Sequence, residues 1–373
     1  MGTYYNPVRI FWGEHCLTEL RDISDKLGKK VLLIKWSAQA LENEAGKELT
    51  ESLKNCEVVE LVFEKSNPDI LDLFKLYQEI KDKEVDFIIA IGGGSVLDIA
   101  KSLAAILDKE YSDVGVLRKV IIAKATGKPA CPWIGIPTTA GTGSEVTCWA
   151  TIWDSERESK LSLEEKENYA YAAFVEPEFT MSVPMKLVVS SALDAVAHAT
   201  ESYWAKAHNM ISSNYALKAI QLIMDNLEAV INMPSKENYT ALAEASMMAG
   251  RAFSNTKTTA CHSISYPLTL RYGIPHGVAV SMLLPSLLRI NEKELEDKEA
   301  LLHAYRADSL EEAGNKIKML LEKAGIPNRL SAWSVKREEV PQIASNCFTK
   351  GRMENNPVDL QVEDVVTILE QLW

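Results

Sequence analysis

The first half of the chain alternates short apolar runs with segments whose apolar residues recur at helical spacing. The predicted strands are residues 30–34, 57–63, 86–91 and 133–136, and the predicted helices are residues 38–54 and 70–81. This alternation is typical of βα units that build a mainly parallel sheet. Two later runs, residues 147–153 and 161–163, predict antiparallel ribbons with Lys160 between them.

The strand pattern stops near residues 175–184, and the remainder of the chain has helical periodicity. The predicted helices are residues 187–207, 211–231, 239–253, 256–270, 277–290, 310–324 and 360–372. Apolar residues at a period of 3.6 indicate helices that bury one face. We therefore expect an α/β domain over residues 1–180 and an all-α domain over residues 181–373, with the boundary near Thr180.

Composition and charge narrow the classes of partner. The 373 residues suffice for two domains with separate cores. The 40 Lys and Arg against 52 Asp and Glu give a net charge of −12, which argues against nucleic acid or an anionic membrane as a partner. Neither a leader-like N-terminus nor a run of about eighteen apolar residues occurs, so we expect a cytoplasmic protein. The six cysteines lack Cys-x-x-Cys spacing, which indicates neither a zinc knuckle nor a disulfide framework.

A glycine-rich turn follows the apolar strand predicted at residues 86–91. Residues 92–95 read Gly-Gly-Gly-Ser, and the amphipathic helix behind them carries Asp98 and Lys101. Glycines allow close approach of a ligand, and a helix N-terminus presents N–H groups and a positive dipole end to phosphate. The turn indicates a pyrophosphate site, although a tight strand-to-helix turn also occurs without a ligand. It matches neither G-x-G-x-x-G nor the nucleoside triphosphatase loop.

A second loop of small residues follows the strand predicted at residues 133–136. Residues 137–145 read Pro-Thr-Thr-Ala-Gly-Thr-Gly-Ser-Glu. Hydroxyl groups and glycines at a strand end can contact the ribose and phosphates of a cofactor. A purely structural loop is the competing interpretation, because the same residue types favour turns.

Four side chains in the second half form a candidate metal site. Asp194 and His198 are four residues apart, so both project from one face of a helix. His262 and His276 lie further along the chain. One carboxylate and three imidazoles suit Zn²⁺ or Fe²⁺ better than Mg²⁺ or Ca²⁺. The alternatives are a helix-face hydrogen bond for the first pair and a turn role for the histidine after Pro275.

Taken together, these motifs resemble the iron-containing (group III) alcohol dehydrogenase family. The similarity rests on residues 92–101, residues 136–145, Asp194 with His198, and Ile-Pro-His-Gly at residues 274–277. It implies a Rossmann-like N-terminal domain, an all-helical C-terminal domain as in dehydroquinate synthases, and a cleft that holds a nicotinamide cofactor and a metal. The matching metal-ligand positions are Asp194, His198, His262 and His276. The matching cofactor positions are Gly93, Gly94, Ser95, Asp98, Thr138, Thr139, Thr147 and Lys160.

Two departures from the family pattern bear on the substrate. Many members carry a histidine four residues after the third ligand, where it is thought to relay a proton, and this chain has Tyr266 there. Tyr266 can pass a proton to an alkoxide or shape the pocket, and we favour packing. The run Lys257, Thr258 and Thr259 resembles the subset that reduces sulfoacetaldehyde and phosphonoacetaldehyde. On the predicted helix, Lys257 lies about one turn before His262 and can reach an anionic head group, with the threonines as further donors. The alternative is a solvated helix lysine.

The leading expectation is therefore a metal-dependent reductase of a small anionic aldehyde. A single lysine suits a sulfonate better than a phosphonate, unless Arg251 or Arg271 contributes. Lys35 and Trp36 follow the first predicted strand, and we favour NADH, with NADPH as the alternative. The ion is expected to be one Fe²⁺ or Zn²⁺, and the family implies a homodimer or a larger homo-oligomer. The competing functions are a general primary-alcohol dehydrogenase, a dehydroquinate synthase-like lyase and a non-catalytic nucleotide-binding protein.

Overall fold

The structure is a computed structural model, and it describes residues 3–157 and 159–373. The chain divides into two units. The α/β unit comprises residues 6–139 and 143–182, and the helical unit comprises residues 3–5, 140–142 and 183–373. The main division falls between Ser182 and Val183, close to the boundary that the sequence places near Thr180.

The α/β unit is built on one parallel sheet. Its strands, with those of a separate ribbon, are β1 (Arg9–Trp12), β2 (Lys30–Lys35), β3 (Glu57–Val62), β4 (Phe87–Gly92), β5 (Trp133–Pro137), β6 (Trp149–Asp154), β7 (Ser159–Glu164) and β8 (Ala172–Val175). Six strands pair in the order β1-β8-β5-β4-β2-β3, and every neighbouring pair is parallel. Strands β6 and β7 form a two-stranded antiparallel ribbon.

The strand order places a topological switch point between β2 and β4. From β2 the chain continues to β3 on one side, and then returns to β4 on the other side of β2. In open α/β sheets, ligands bind beyond the carboxyl ends of the strands at such a point. The central strand β4 is buried along its whole length, which explains its continuous apolar sequence. Its carboxyl end carries the glycine turn.

The helices alternate with the strands of the α/β unit and account for most of the helical unit. Their bounds are α1 (Leu20–Leu27), α2 (Glu44–Ser52), α3 (Ile70–Ile80), α4 (Gly94–Ile106), α5 (Val114–Ile122), α6 (Glu178–Met181), α7 (Met185–Trp204), α8 (Met210–Asn232), α9 (Lys236–Thr256), α10 (Ala260–Tyr272), α11 (His276–Ile290), α12 (Lys298–Tyr305), α13 (Leu310–Lys323), α14 (Val340–Ser345) and α15 (Val362–Leu372). None of these helices is long and apolar enough to cross a bilayer. The predicted order, an α/β half followed by a helical half, is confirmed.

Several predicted bounds are wrong for identifiable reasons. Helix α2 begins at Glu44 and not at residue 38, because the Asn43 side chain accepts a hydrogen bond from the Gly46 N–H and caps the helix there. Lys160 lies inside β7 and not between two ribbons. The short strands β1 and β8 and the helices α1, α5, α6, α12 and α14 were not predicted. The predicted helix 256–270 begins at Ala260, because residues 257–259 form a break after α9.

Candidate active site

Helix α7 carries three polar side chains on one face inside the core of the helical unit. Asp194, His198 and Glu201 stand at positions i, i+4 and i+7, so they line one face of the helix. All three are buried, with exposed fractions of 3%, 6% and 0%. The neighbouring positions are filled by alanine, valine and leucine, which pack into the core. Buried polar groups require partners, and those partners come from α10, from α11 and, for His198, from the carbonyl oxygen of Gly141.

The two remaining histidines stand near the starts of their helices. His262 is the third residue of α10, and His276 is the first residue of α11. Pro275 precedes α11 at the N-cap position with an extended backbone. The second residue of α11 must be glycine, because a Cβ on Gly277 would lie 2.2 Å from the carbonyl oxygen of Ser190 on α7. The Ile-Pro-His-Gly sequence thus brings α11 close against α7.

Three of the predicted ligands converge on one point. Asp194, His262 and His276 each offer a ligand atom, and these atoms lie within 4.8 Å of one another. The Asp194 Oδ1 and His262 Nε2 atoms are 3.5 Å apart. Both atoms are buried, and neither has a hydrogen-bond partner within the described residues. Two orphaned polar atoms that face each other, with a third ligand beside them, fit a divalent cation.

His198 lies beside this group but does not belong to it in the described geometry. Its ring stacks on the rings of Phe253 and His262, with centroid distances of 4.2 and 4.4 Å. Its Nδ1 lies 3.3 Å from the carbonyl oxygen of Gly141 and 3.9 Å from Asp194 Oδ2. His198 therefore stays a predicted fourth ligand.

The charges of the site are strongly coupled. Burial would raise the pKa of Asp194, but His198, His262 and His276 hold it below its usual range. Burial lowers the pKa of His198 to about 4. Burial also lowers the pKa of His262, yet the carboxylates of Glu201 and Asp194 outweigh it and raise the value to about 10. The two carboxylates therefore favour positive charge beside them, which a proton on His262 or a bound cation in its place can supply.

Glu201 is a functional candidate that the sequence analysis missed. Its Oε2 accepts a hydrogen bond from His262 Nδ1. A lone glutamate in a helix ordinarily indicates a solvated face. The available signal was its position on the same face as Asp194 and His198, inside an apolar helix.

The predicted anion-binding residues lie in the break between α9 and α10. Lys257 has φ 64° and ψ 177°, a region that residues other than glycine rarely adopt. Asn355 Nδ2 donates to the carbonyl oxygens of Thr256 and Thr258 at 2.8 and 3.1 Å, which fixes the loop. The helical placement predicted for Lys257 is wrong, because these tertiary hydrogen bonds replace the helical ones.

Three of the predicted pocket residues, Thr258, Thr259 and Tyr266, are buried, and the Thr259 hydroxyl is already engaged. The Thr259 hydroxyl donates to Glu201 Oε1 at 2.8 Å and accepts from Trp204 Nε1 at 2.9 Å. Because its single hydrogen is used, the assignment of Thr259 as an anion donor is corrected. Tyr266 is buried, and its ring is stacked parallel to that of His276 with centroids 6.0 Å apart.

In the α/β unit, the glycine turn lies at the carboxyl end of β4. Gly93 is the N-cap of α4, which has no side-chain cap, so the first N–H groups of the helix are available to a ligand. None of the three glycines has a left-handed φ, and close packing explains Gly92 but not Gly93, whose Cβ would meet its neighbour at an ordinary contact distance. A Cβ on Gly92 would lie 2.6 Å from the Val96 side chain, and one on Gly93 would lie 3.4 Å from that of Thr139. Ser95 Oγ accepts from the Asn67 N–H at 3.1 Å.

The second loop is held against α4 by the partly buried Asp98 and the fully buried Lys101. Asp98 accepts from Ser144 Oγ at 2.7 Å and from the Thr151 N–H at 2.8 Å. Lys101 Nζ donates to Thr147 Oγ1 at 2.9 Å and to the Trp149 carbonyl oxygen at 2.8 Å. Asp98 and Thr147 thus make contacts within the chain that shape this loop. Thr138 and Thr139 follow β5, next to the glycine turn on β4.

Sequence models of one family match nearly the whole chain. The model described as iron-containing alcohol dehydrogenase matches residues 7–177, and that described as the Fe-containing alcohol dehydrogenase family, C-terminal, matches residues 188–373. The chain belongs to the iron-containing alcohol dehydrogenase family. The resemblance that its motifs indicate is confirmed, and with it the assignment to the oxidoreductases.

Reductases named for three different aldehydes are similar to this chain. Lactaldehyde reductase of Escherichia coli is 30% identical over 317 residues, which cover 82% of each chain. Phosphonoacetaldehyde reductase of Streptomyces viridochromogenes is 34% identical over 248 residues, 65% of this chain and 62% of that protein. The crystal structure of sulfoacetaldehyde reductase from Bifidobacterium kashiwanohense in complex with NAD⁺ covers 100% of this chain and 98% of its own, with a TM-score of 0.87 and 27% identity.

Proposed function

We propose that this protein is a metal-dependent reductase that transfers hydride from NADH to a short aldehyde with an anionic head group, with sulfoacetaldehyde the foremost candidate. Asp194, His262 and His276 would hold a divalent ion, with His198 as the predicted fourth ligand. Such an ion supplies Lewis acidity that polarises a carbonyl oxygen and eases hydride transfer. Fe²⁺ and Zn²⁺ both suit the carboxylate and imidazole donors.

The backbone conformation of Lys257 is the observation that supports the proposal of an anionic substrate. A lysine with φ 64° and ψ 177° stores about 1–3 kcal/mol of backbone strain. Such strain persists where the surroundings enforce it, and Asn355 and Glu201 anchor the residues on either side. The same short loop leads directly into α10, which carries His262. We infer that the loop holds the Lys257 ammonium for the head group of the substrate, with the Thr258 hydroxyl as a further donor.

The arginines named as alternative anion ligands are engaged elsewhere. Arg251 Nε donates to the Tyr4 hydroxyl at 3.3 Å, and its guanidinium lies 4.9 Å from the Tyr215 ring centroid. Arg271 is paired with Glu339 at 3.1 Å. We therefore assign neither arginine to the substrate. A single lysine neutralises the one negative charge of a sulfonate. A phosphonate carries nearly two negative charges, so one of them would stay buried without a partner.

The contacts of the residues at the end of β2 support the choice of NADH. Lys35, which could have welcomed the 2′-phosphate of NADPH, is 5% exposed and paired with Glu60 at 2.7 Å. Glu60 in turn would repel a 2′-phosphate there. Trp36 packs edge-on against Phe179, with ring centroids 6.1 Å apart. The carboxyl end of β2 borders the switch point at which cofactors of this architecture bind.

Tyr266 is proposed as a packing residue. Its buried ring lies parallel to that of His276 and would hold that imidazole in place. A cytoplasmic location and a homo-oligomeric assembly stay predictions.

A substrate screen tests the proposal. Cofactor oxidation is measured with sulfoacetaldehyde, phosphonoacetaldehyde and butyraldehyde, with NADH or NADPH, after Fe²⁺, Zn²⁺ or Mn²⁺ is added. The Lys257→Met variant should raise KM for sulfoacetaldehyde by about 10- to 100-fold, the loss of one hydrogen bond to a charged group. Its KM for butyraldehyde should not change. Lys298→Met is the control, because this partly exposed lysine is paired with Glu292 away from the loop.

The competing function is a general alcohol dehydrogenase, which the similarity to lactaldehyde reductase favours. It would be supported, and the anionic substrate rejected, if wild type and Lys257→Met reduced all three aldehydes with the same relative efficiency. Cofactor binding without turnover of any substrate would favour a nucleotide-binding protein or a lyase.

A further inference from the structure

The Glu201 carboxylate lies at the junction of α7, α10 and the Lys257 loop. It is completely buried. Its Oε1 accepts from the N–H groups of Thr259, Cys261 and His262 at 3.1, 2.7 and 3.4 Å, and from the Thr259 hydroxyl at 2.8 Å. Helix α10 has no cap from its own Thr259 side chain. Glu201 therefore supplies the negative charge and the acceptors that a helix N-terminus lacks.

The second oxygen of this carboxylate determines which ring nitrogen of His262 is available to a ligand. An ionised carboxylate only accepts hydrogen bonds, so the hydrogen between Glu201 Oε2 and His262 belongs to Nδ1. This leaves the opposite nitrogen, Nε2, directed at Asp194 Oδ1 across 3.5 Å. If the His262 ring is neutral, the lone pairs of its Nε2 and of Asp194 Oδ1 face each other. That arrangement is favourable only with a cation or a proton between the two atoms.

We propose that Glu201 is a positioning residue that holds His262 in the Nδ1–H tautomer and so presents Nε2 to the metal ion. The proposal rests on the metal site of the proposed function and adds a residue that does not touch the ion. A carboxylate behind a ligating imidazole fixes the orientation of the ring and increases its basicity. Glu201 also accepts hydrogen bonds from Thr259, at the end of the Lys257 loop, so one side chain fixes both the orientation of His262 and the position of the loop before it.

The Glu201→Gln variant separates the roles of the two carboxylate oxygens, because one caps α10 and the other contacts His262. A glutamine that keeps its oxygen on the N–H groups of Cys261 and Thr259 must place its amide nitrogen against His262 Nδ1. An amide nitrogen only donates, so Nδ1 would have to accept and the ring hydrogen would move to Nε2. The cap of α10 would survive, while the nitrogen that faces Asp194 would lose its lone pair.

Thr200→Val is the matched control. Thr200 is the neighbouring residue on α7 and is also completely buried. Its hydroxyl donates to the Val196 carbonyl oxygen at 2.7 Å and contacts the Tyr305 hydroxyl at 2.6 Å, not the ligand group. This variant removes a buried polar group from the same helix and leaves the partners of His262 intact.

The experiment measures Co²⁺ binding to the full chain, by competition with a chromophoric chelator and by the visible d–d absorption of the bound ion. We expect Glu201→Gln to weaken binding by at least ~10- to 100-fold and to alter the absorption bands. Thr200→Val should bind like wild type. Equal affinity and equal bands in wild type and Glu201→Gln would overturn the role of Glu201 alone. Failure of wild type to bind stoichiometric Co²⁺ would overturn the metal site itself, and the positioning role with it.

A second measurement needs no variant and decides the matter if Glu201→Gln does not fold. Wild type labelled with ¹⁵N-histidine and loaded with Zn²⁺ should show, for His262, a proton retained on Nδ1 and a metal-shifted Nε2 resonance. Ligation through Nδ1 would overturn the proposal.

Discussion

Replacing Lys257 by glycine separates the strained backbone of this residue from its charge. The φ of 64° and ψ of 177° cost a lysine about 1–3 kcal/mol, whereas glycine adopts them freely. Glycine loses about 0.5–1 kcal/mol more backbone entropy on folding. The net expectation for Lys257→Gly is a gain of about 1 kcal/mol in the free energy of unfolding. For a unit of this size the gain corresponds to a rise of about 2–4 °C in Tm.

The same change should weaken the reaction with an anionic substrate. Loss of the ammonium removes a hydrogen bond to a charged group, worth about 1.5–3 kcal/mol, which raises KM for sulfoacetaldehyde about 10- to 100-fold. Lys257→Met loses the charge but keeps the strain, so it should share the kinetic defect without the rise in Tm. Thermal unfolding and steady-state kinetics of the three proteins supply the test. A lower Tm for Lys257→Gly than for Lys257→Met would refute the claim that the native loop stores strain.

Two further predictions concern the α/β unit. Burial raises the pKa of Glu145 from 4.5 to about 7, so the stability that its protonated form contributes is complete below about pH 4.5 and is lost as pH rises through 7. Between pH 4.5 and 8, the free energy of unfolding should therefore fall by about 3 kcal/mol more in wild type than in Glu145→Gln. Parallel pH profiles of the two proteins would contradict this. Glu60→Gln removes the partner of Lys35 and should lower KM for NADPH by about tenfold while KM for NADH stays unchanged. The control Glu57→Gln, on the same strand but paired with Lys30, should alter neither KM. An unchanged cofactor preference in Glu60→Gln would reject this basis for the choice of NADH.

The elements that the sequence predicts well are those whose pattern reflects burial. Strand β4 is enclosed along its whole length, so its apolar run is continuous, and the glycines after it mark its end. Strands β1 and β8 have four residues each, too few to establish a period of two. They are ordered by pairing with each other and, for β8, with β5, which are contacts between distant parts of the chain.

The candidate site shows the same division between local and tertiary information. Asp194 and His198 are recognisable because their spacing fits one helix face. The break at residues 257–259 contains neither glycine nor proline and is imposed by Glu201 and Asn355, which lie far from it in the sequence. The roles of Glu201 and Thr259 depend on that contact and could not be derived from local patterns.

The close approach of α11 to α7 at Gly277 has a consequence for how the enzyme acquires its ion. The side chains of Asp194, His262 and His276 are brought together by helix packing, so we expect this proposed donor group to form without the help of an ion. In zinc fingers, by contrast, the ion drives folding. Here the apoprotein should keep its native architecture, and one ion should replace another without refolding. The supply of metals in the cell, rather than the folding reaction, would then decide which ion the enzyme carries.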